Sequence, residues 1–519
     1  MVKPFKLFLI ILLVLVLLAL PALFMPRNGI RIGSFTLKYP SAAQLFDVDP
    51  LPQPHEQELA PELVMLDQML DSIFLQFHRD TISRDIDSML VEAVDTLTVE
   101  NTRVDAQQIL TSEILKSRRV PIETSDTLFL ALKPFFEALS SGNPSRRQVR
   151  VLHYGDSQIE GDRITSFLRS RLQARFGGRG VGLLHAVPHS YQPGSVKQTV
   201  SSNWQKVLLP DLGKGALAHR FGILGGYSVF TTSKRASSRG GFNEAWIRFQ
   251  RIGSSQSAAR NFTTCRVFYG YATEPFLVSL SYGNETKDAE MIAPAKQIDQ
   301  IRWNIPLAHN SFQIDLKGDE SPLVYGISLE SSTGVVVDNI AIRGSSGTDF
   351  SRSDEVSLKR FVQLVNPSLI ILQFGVNLVP HIVPSYDYYE RQLYNQIVAL
   401  KRAKPNVAVL VVGVSDMSRK EGGRFVSYPN IEKIRDAQRS AAIRAGAAFW
   451  DCYNAMGGQN SMPAWVYANP PLASKDFVHF SLRGSNLIAE MLYTSLMNEY
   501  DKYLKSSNNV TQRLDEPLH

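Results

Sequence analysis

The chain has 519 residues, of which 44% are hydrophobic and 20% charged, so it can bury more than one core and is too apolar to be disordered. Its net charge of +6 is small, and no dense run of lysine and arginine occurs, which argues against nucleic-acid binding. Two cysteines, Cys265 and Cys452, are too few for a disulfide-stapled fold, and we expect both to be buried free thiols.

The amino terminus predicts a single membrane anchor, residues 1–26. Lys3 and Lys6 precede the uninterrupted apolar stretch Leu7–Met25, which is long enough to cross a bilayer as a helix. The stretch exceeds the apolar region of a usual signal peptide and no clear cleavage site follows, so an anchor is favoured over a cleaved signal. The two lysines favour a cytoplasmic amino terminus. The rest of the chain is then expected outside the cytoplasmic (inner) membrane, in the periplasm or outside the cell.

Two segments separate this anchor from the first predicted strand. Residues 27–60 are rich in proline and polar residues and are interpreted as a linker. Residues 61–142 show mostly helical periodicity, as in Leu63–Phe77 and Leu128–Gly142. For Leu63–Phe77, packing within the protein is favoured over binding a membrane partner, but the pattern leaves both open.

Residues 143–189 contain the first predicted strand and helix. The run VRVLHY (Val149–Tyr154) has the β-branched and aromatic residues of a buried strand, and apolar residues at helical spacing follow it. Ser157, in the motif GDS, therefore lies in a tight turn at the carboxyl end of a strand, where open α/β sheets bind ligands. The motif alone is weak evidence, because a helix-capping turn has the same sequence; together with the strand before it and the helix after it, a functional site and a capping turn are equally compatible with the pattern. His153 is predicted to be a strand side chain.

The pattern changes in residues 190–332. Short alternating runs, such as Phe276–Tyr282, Ser311–Gly318 and Pro322–Glu330, are separated by glycine, asparagine, aspartate and proline. They predict an all-β domain of the sandwich or jelly-roll type. Its tryptophans could stack on sugar rings or lie in the core: Trp204, Trp246 and Trp303.

Residues 333–505 return to alternating strands and helices. This alternation predicts a parallel sheet with helices on both faces, so the all-β domain interrupts an α/β domain made of residues 143–189 and 333–505. Residues 506–519 are interpreted as a polar tail. The predicted strands are Val335–Gly344, Leu369–Gly375, Val407–Gly413 and Ala447–Trp450, and the main helices are Tyr386–Ala403 and Ile431–Gly446.

Polar motifs follow the later strands of the α/β domain. Gly344 ends the first of these strands, Asn377 follows the next in a G-x-N motif, and Asp476 precedes His479 by three residues just before a predicted helix. Because the carboxyl ends of parallel strands meet at one edge of the sheet, these residues are expected to converge with Ser157 in one crevice.

In this order, the motifs resemble those of the SGNH (GDSL-type) hydrolases. The resemblance covers residues 148–185 and 333–505, and it implies a flavodoxin-like α/β/α domain. It also implies that Ser157 is the nucleophile, His479 the base and Asp476 the acid of a catalytic triad. Ser157, Gly344 and Asn377 would form the oxyanion hole. No metal or organic cofactor is implied.

The motif GDSQIEGDR and the interrupting β domain are most similar to the peptidoglycan O-acetylesterase branch of that family, in which a carbohydrate-binding-like module interrupts the hydrolase domain. The resemblance implies an esterase that removes O-acetyl groups from a cell-envelope glycan, with peptidoglycan preferred. Two alternatives stay open. The same triad could transfer an acetyl group to a sugar hydroxyl, with a membrane acyltransferase partner supplying the donor, or the chain could be a glycan-binding scaffold without activity.

Overall fold

The computed structural model describes residues 120–125, 130–140, 143–188, 193–208, 220–230, 243–253, 257–349 and 354–515. It also describes two short antiparallel strands, Ile30–Ile32 (β1) and Phe35–Leu37 (β2). The predicted anchor Leu7–Met25 and the stretch Leu63–Phe77 lie outside the described residues. Within the described part of the chain, no helix is both long and apolar enough to cross a membrane.

The strands that follow β2 are, in chain order, β3 Ile122–Glu123, β4 Gln148–Gly155, β5 Gly182–Leu184, β6 Val196–Val200, β7 Trp204–Leu208, β8 Gly226–Phe230, β9 Asn243–Arg251, β10 Thr264–Ala272, β11 Phe276–Tyr282, β12 Glu285–Ile292, β13 Ala295–Asn304, β14 Ser311–Gly318, β15 Leu323–Glu330, β16 Gly334–Ala341, β17 Pro367–Gln373, β18 Ala408–Val412, β19 Ser418–Glu421, β20 Arg424–Ser427 and β21 Ala448–Trp450.

The helices differ widely in length. A short 3-10 turn, Glu160–Asp162, follows β4. The described α-helices are α1 Lys133–Leu139, α2 Asn143–Arg146, α3 Thr165–Phe176, α4 Ser257–Arg260, α5 Glu355–Val365, α6 Asp387–Ala403, α7 Ile431–Arg444, α8 Cys452–Met456, α9 Ser461–Tyr467 and α10 Leu482–Asp515.

A parallel sheet forms the centre of the α/β region. Its strand order is β16-β4-β17-β18-β21-β3, and β3 alone among these strands runs antiparallel to its neighbour. One hydrophobic cluster joins the sheet to α1, α3 and α8–α10, and a second joins it to α5–α7. The strands can be apolar on both sides because helices cover both faces. The predicted mixed α/β fold with a parallel sheet is confirmed.

Two antiparallel sheets form the all-β region. One has the order β13-β10-β15-β8-β7, with β5 also paired to β15, and the other has the order β12-β11-β14-β9-β6. Side chains from both sheets share a third hydrophobic cluster, which includes Phe249, Cys265 and Phe312. The region is therefore a β-sandwich, as the alternating pattern predicted. Strand β5 lies within the segment predicted as the first hydrolase part, residues 143–189, yet it pairs with the sandwich.

Two other segments differ from the sequence prediction. Residues 61–142 were expected to be largely helical, but among the described residues of this segment Ile122–Glu123 forms the edge strand β3, and Lys133–Leu139 forms α1. Residues 506–519 were interpreted as a polar tail, but α10 continues through Asp515. A two-residue edge strand leaves too short a pattern to be detected in a sequence.

Candidate active site

Ser157 follows β4, which lies between β16 and β17 in the parallel sheet. Gly155, two residues earlier, pairs with Ala341 on one side and Gln373 on the other. A Cβ atom at Gly155 would lie 2.9 Å from the Gln373 carbonyl oxygen, so only glycine fits there. The Asp156 carboxylate accepts a hydrogen bond from the Gln158 N–H at 3.0 Å and closes the turn. The half-buried Ser157 therefore lies just beyond the carboxyl end of a central strand.

A chain of hydrogen bonds links Ser157, His479 and Asp476. The Ser157 Oγ lies 2.8 Å from His479 Nε2, and His479 Nδ1 lies 2.8 Å from Asp476 Oδ2. The other carboxylate oxygen accepts the N–H groups of Val478 and His479, each at 3.0 Å. If Nδ1 carries the imidazole proton toward Asp476, Nε2 is left to accept the serine proton. The geometry is that of a nucleophile, base and acid.

The charge on Asp476 is stabilised locally. Burial alone would raise its pKa, but hydrogen bonds from the backbone and the imidazole of His479 and from the Val478 N–H outweigh burial, so the pKa lies below its ordinary value. Phe477, between these residues, has a left-handed φ of 58° and stacks on Phe425 with ring centroids 3.6 Å apart. This packing holds a backbone conformation that is unfavourable for a bulky residue and so fixes the turn.

The expected oxyanion-hole residues lie on the two neighbouring loops. Gly344 comes two residues after Ile342, whose N–H donates to the Gly155 carbonyl at 2.8 Å. Asn377 comes four residues after Gln373, and its Nδ2 donates to the Ser345 carbonyl at 2.9 Å, which joins the two loops. An amide has two N–H groups, so a second donor remains on Asn377. Three adjacent loops thus carry the three proposed donors.

Two glycines of the RGSSG turn differ in what surrounds them. Both have a positive φ, 78° at Gly344 and 80° at Gly347. A Cβ atom at Gly347 would lie 2.4 Å from the Phe374 ring, whereas one at Gly344 would meet nothing within 4 Å. Among the described residues, the N–H groups of Ser157 and Gly344 have no acceptor. Gly344 is therefore the glycine of this turn that borders open space.

Four other residues singled out in the sequence have structural roles. His153 is buried on β4, where its ring nitrogens contact Gln373 and Thr165, and burial lowers its pKa to about 4. Both cysteines are buried free thiols, as expected. Trp303 was expected as a possible sugar-stacking residue, but it is 6% exposed and its indole N–H donates to Asp288 at 2.9 Å. Its ring fills the sandwich core, so stacking on a sugar is excluded for this residue.

Two polar residues near Ser157 were not singled out from the sequence. The Gln158 side chain contacts the main chain on both sides of His479, and Arg163 donates to the carbonyls of Ser157 and Phe480 at 3.1 and 3.4 Å. Both residues belong to the segment GDSQIEGDR, in which Gln158 follows Ser157 directly and Arg163 is the last residue. Their closeness to the motif was a signal in the sequence, but their contacts with Val478 and Phe480, more than 300 residues away, were not evident.

A cleft opens beside this site between the parallel sheet and the sandwich. Its walls on the α/β side include Glu160 and Arg343, which form an ion pair at 2.5 Å. Its walls on the sandwich side include Leu184, His185 and Gln198. The Glu160 N–H donates to the Ser157 carbonyl at 3.4 Å and Arg343 precedes Gly344, so the cleft lies next to two loops of the candidate site.

Comparisons with known proteins bear on the family and the fold. Residues 314–487 match the family model of the GDSL-like Lipase/Acylhydrolase family, and the resemblance inferred from the motifs is thereby confirmed. The matched range contains Gly344, Asn377, Asp476 and His479 but begins after Ser157. No curated protein matches the sequence.

Among solved structures, a peptidoglycan O-acetylesterase superposes with a TM-score of 0.58 at 22% identity, over 73% of this chain and 99% of its own. This likeness shows a shared fold. A family two carbohydrate esterase from Clostridium thermocellum matches with a TM-score of 0.22 at 11% identity, over 50% of this chain and 92% of its own. A family 3 carbohydrate esterase from Talaromyces cellulolyticus has a TM-score of 0.24 at 19% identity, over 33% and 73%. The last two scores are too low to indicate a common architecture.

Proposed function

We propose that this chain, which carries a GDSL-like acylhydrolase domain, is a serine esterase that removes O-acetyl groups from a cell-envelope glycan, with peptidoglycan as the polymer. The observation that supports it most directly is the hydrogen-bond chain from Ser157 Oγ through His479 to Asp476, with 2.8 Å at both steps. The family match supports acyl-ester chemistry, and the shared fold with a peptidoglycan O-acetylesterase supports this choice of substrate.

In the proposed first half-reaction, the Ser157 hydroxyl attacks the acetyl carbonyl carbon while His479 Nε2 takes its proton. The carbonyl oxygen becomes negative, and the N–H groups of Ser157, Gly344 and Asn377 donate to it; one such donor typically lowers the barrier by about 3–4 kcal/mol. The ester C–O bond to the sugar then breaks, and His479 returns the proton to the sugar oxygen. Asp476 stabilises the imidazolium throughout.

In the second half-reaction, water attacks the acetyl-Ser157 ester. His479 takes a proton from the water, the bond between the acetyl carbon and Ser157 Oγ breaks, and the proton passes to the serine oxygen. Acetate leaves, and the original serine is restored. The reaction consumes only ester and water.

We propose that the sandwich orients the polymer, because the cleft beside Ser157 is lined by both parts of the chain. In this proposal the sandwich, residues 190–332, binds carbohydrate, and residues 143–189 and 333–505 form the hydrolase domain. We also propose that Leu7–Met25 anchors the chain in the cytoplasmic membrane and that the remaining residues lie outside it, where the crevice can reach an envelope glycan. The apolar stretch and the two lysines before it are the support for that location.

The test is acetate release from O-acetylated peptidoglycan by the full chain purified in detergent. Unsubstituted protein should release acetate, and Ser157→Ala should lower kcat by at least about 10⁴-fold, because no other hydroxyl among the described residues contacts His479 Nε2. If the chain hydrolyses 4-nitrophenyl acetate but releases no acetate from the polymer, peptidoglycan is refuted as the substrate, while the esterase mechanism stands. Turnover by Ser157→Ala close to that of the unsubstituted protein would refute the mechanism.

The transferase alternative shares the acetyl-Ser157 intermediate, so it is separated by product. With 4-nitrophenyl acetate as donor and chitooligosaccharides as acceptor, the esterase proposal expects free acetate to dominate over acetylated sugar in mass spectra. Predominant sugar acetylation would replace the esterase with the transferase. Specific glycan binding without any Ser157-dependent turnover would instead favour the scaffold.

A further inference from the structure

Gln158, the residue after the proposed nucleophile, joins three loops of the crevice. Its side chain is 2% exposed. Nε2 donates to the Val478 carbonyl at 2.7 Å and to Ser415 Oγ at 3.2 Å, while Oε1 accepts the Phe480 N–H at 3.4 Å. Val478 and Phe480 flank His479, so one side-chain amide engages the main chain on both sides of the proposed base, as a neighbouring strand would.

The other polar groups of the main chain at His479 have partners as well. Its N–H donates to Asp476 at 3.0 Å, and its carbonyl accepts the Ser474 N–H at 2.8 Å. These contacts fix the shape of the His479 turn, but all of them come from within the turn. They cannot set how far the turn lies from the strand that carries Ser157.

The contacts of Gln158 do set that distance. Its N–H donates to Asp156 Oδ1 at 3.0 Å, and it follows Ser157 directly, so its own backbone is fixed relative to the nucleophile. We propose that Gln158 is a positioning residue that holds His479 Nε2 within hydrogen-bond distance of Ser157 Oγ. The inference rests on the proposed function, because it takes His479 as the base.

The residue type fits this task. A buried amide supplies the two donors that the Val478 carbonyl and Ser415 require and the acceptor that the Phe480 N–H requires. An apolar side chain of equal length would leave these groups unpaired, and a carboxylate would put a second acceptor against the Val478 carbonyl. Arg163 makes an additional tie, from the carbonyl of Ser157 to that of Phe480. Loss of Gln158 alone is therefore expected to loosen the turn without releasing it.

Gln158→Met tests the proposal, with Gln173→Met as the matched control. Gln173 is 5% exposed, and its Nε2 likewise donates to two carbonyls, those of Gly180 and Val335, each at 3.2 Å. Val335 lies near the start of β16, at the end of the sheet opposite Ser157. Both variants should lower Tm by a similar amount, which separates general destabilisation from positioning.

Two activity readouts are measured on the full chain: the rate at which a fluorophosphonate labels Ser157, and kcat and KM for 4-nitrophenyl acetate. Gln158→Met should lower kcat and the labelling rate by about 10²-fold and change KM by less than about threefold, since misplacement of a reacting group acts on the chemical step. Gln173→Met should change neither rate. If Gln158→Met does not fold, Gln158→Asn, which keeps the amide but cannot reach Val478, takes its place with the same expectation.

Rates for Gln158→Met within about threefold of the unsubstituted chain would overturn the inference, as would equal losses in both variants. Failure of the proposed function has a different signature: normal labelling of Ser157 without hydrolysis of acetylated glycan. The labelling rates of the two variants then still decide the role of Gln158. Absence of labelling in the unsubstituted chain would overturn both.

Discussion

Two groups of acidic and basic side chains lie at opposite ends of strand β4, and they differ in solvent exposure and in the groups that they contact. At its carboxyl end, Ser157 meets His479 and Asp476, whose side chains are 29% and 48% exposed. Near its start, Arg150 makes two hydrogen bonds to Asp338 on β16, at 2.7 and 2.9 Å, and one to Glu330 on β15 at 2.7 Å; these three side chains are at most 3% exposed.

The buried group joins the sandwich to the parallel sheet. Burial alone would raise the pKa of Glu330, but Arg150 and Arg266 outweigh it and hold the pKa at about 2. In this network two arginines face two carboxylates, so the charges are balanced. Its one hydroxyl group, on Ser328, is fully buried. The exposed group has a hydroxyl, a base with one nitrogen directed at it, and a crevice. Short distances between acidic and basic groups therefore do not identify a reactive site by themselves. A reactive site also needs a nucleophile and an opening through which substrate can reach it.

The same Asp→Asn change in both groups tests this contrast, with the largest effect expected at Asp476. Asp476→Asn keeps an oxygen for the Val478 N–H but no longer holds the His479 proton on Nδ1 or stabilises the imidazolium. We expect kcat for ester hydrolysis to fall by about 10⁴-fold, with a change in unfolding free energy below about 1 kcal/mol. Steady-state kinetics and urea unfolding measure both quantities. A large loss of stability with little loss of kcat would make Asp476 a structural residue.

Asp338→Asn should have the opposite pattern. It leaves a buried guanidinium with one carboxylate fewer, which typically costs about 3–5 kcal/mol of unfolding free energy. The kcat per folded molecule should stay within about threefold of the unsubstituted chain, since Asp338 is remote from Ser157. The exposed pair Glu244–Lys317, with N and O atoms 3.9 Å apart, supplies the control: Glu244→Gln should cost less than about 1 kcal/mol. Equal losses of unfolding free energy in Asp338→Asn and Glu244→Gln would contradict the stabilising role of the buried group.

Asn377→Ala probes the exposed group without touching a charge. Removing one of the three proposed oxyanion donors should lower kcat by about 10²–10³-fold with KM little changed. The contact with the Ser345 carbonyl is lost too, so Tm is measured alongside. Unchanged kcat would remove Asn377 from the oxyanion hole and leave it as a loop-joining residue.

Asp156 sharpens the comparison, because it is buried like Asp338 but faces no cation. Burial raises its pKa to about 7, so the folded chain binds this proton more tightly than the unfolded chain. Its contribution to stability is therefore largest at low pH and is lost as the pH rises toward 7, by about 2 kcal/mol between pH 5 and pH 7. Unfolding of Asp156→Asn across this range should lack that slope. An identical pH dependence in both proteins would show that Asp156 is ionised throughout.

Much of this arrangement could be predicted from local patterns. The strand Ser311–Gly318 was predicted with its observed bounds because its residues alternate between buried and half-exposed positions. The convergence of Ser157, Asp476 and His479 could be predicted because each lies in a short motif next to a recognisable strand or helix. The chain's parallel sheet followed from near-continuous apolar runs separated by helices.

What the sequence did not predict depends on pairing between distant segments. Strand β12, Glu285–Ile292, is almost entirely exposed, so it lacks the alternation that marks a strand. Arg150 and Asp338 are charged residues within apolar strands, which signals a buried partner, but the sequence does not say which one. The contacts of Gln158 with Val478 and Phe480 likewise require the folded chain.

The interruption of the α/β region by the sandwich also has a consequence for the order of events during synthesis. Strand β4 ends at Gly155, but its two neighbours β16 and β17 end at Ala341 and Gln373. At a translation rate of about 5–20 residues per second, β4 waits roughly 10–40 s for its second neighbour. All the strands of the sandwich, through β15, emerge within that interval. The sandwich can therefore fold first. It then holds β4, the apolar strand that precedes Ser157, close to the segment that will form β16 and β17.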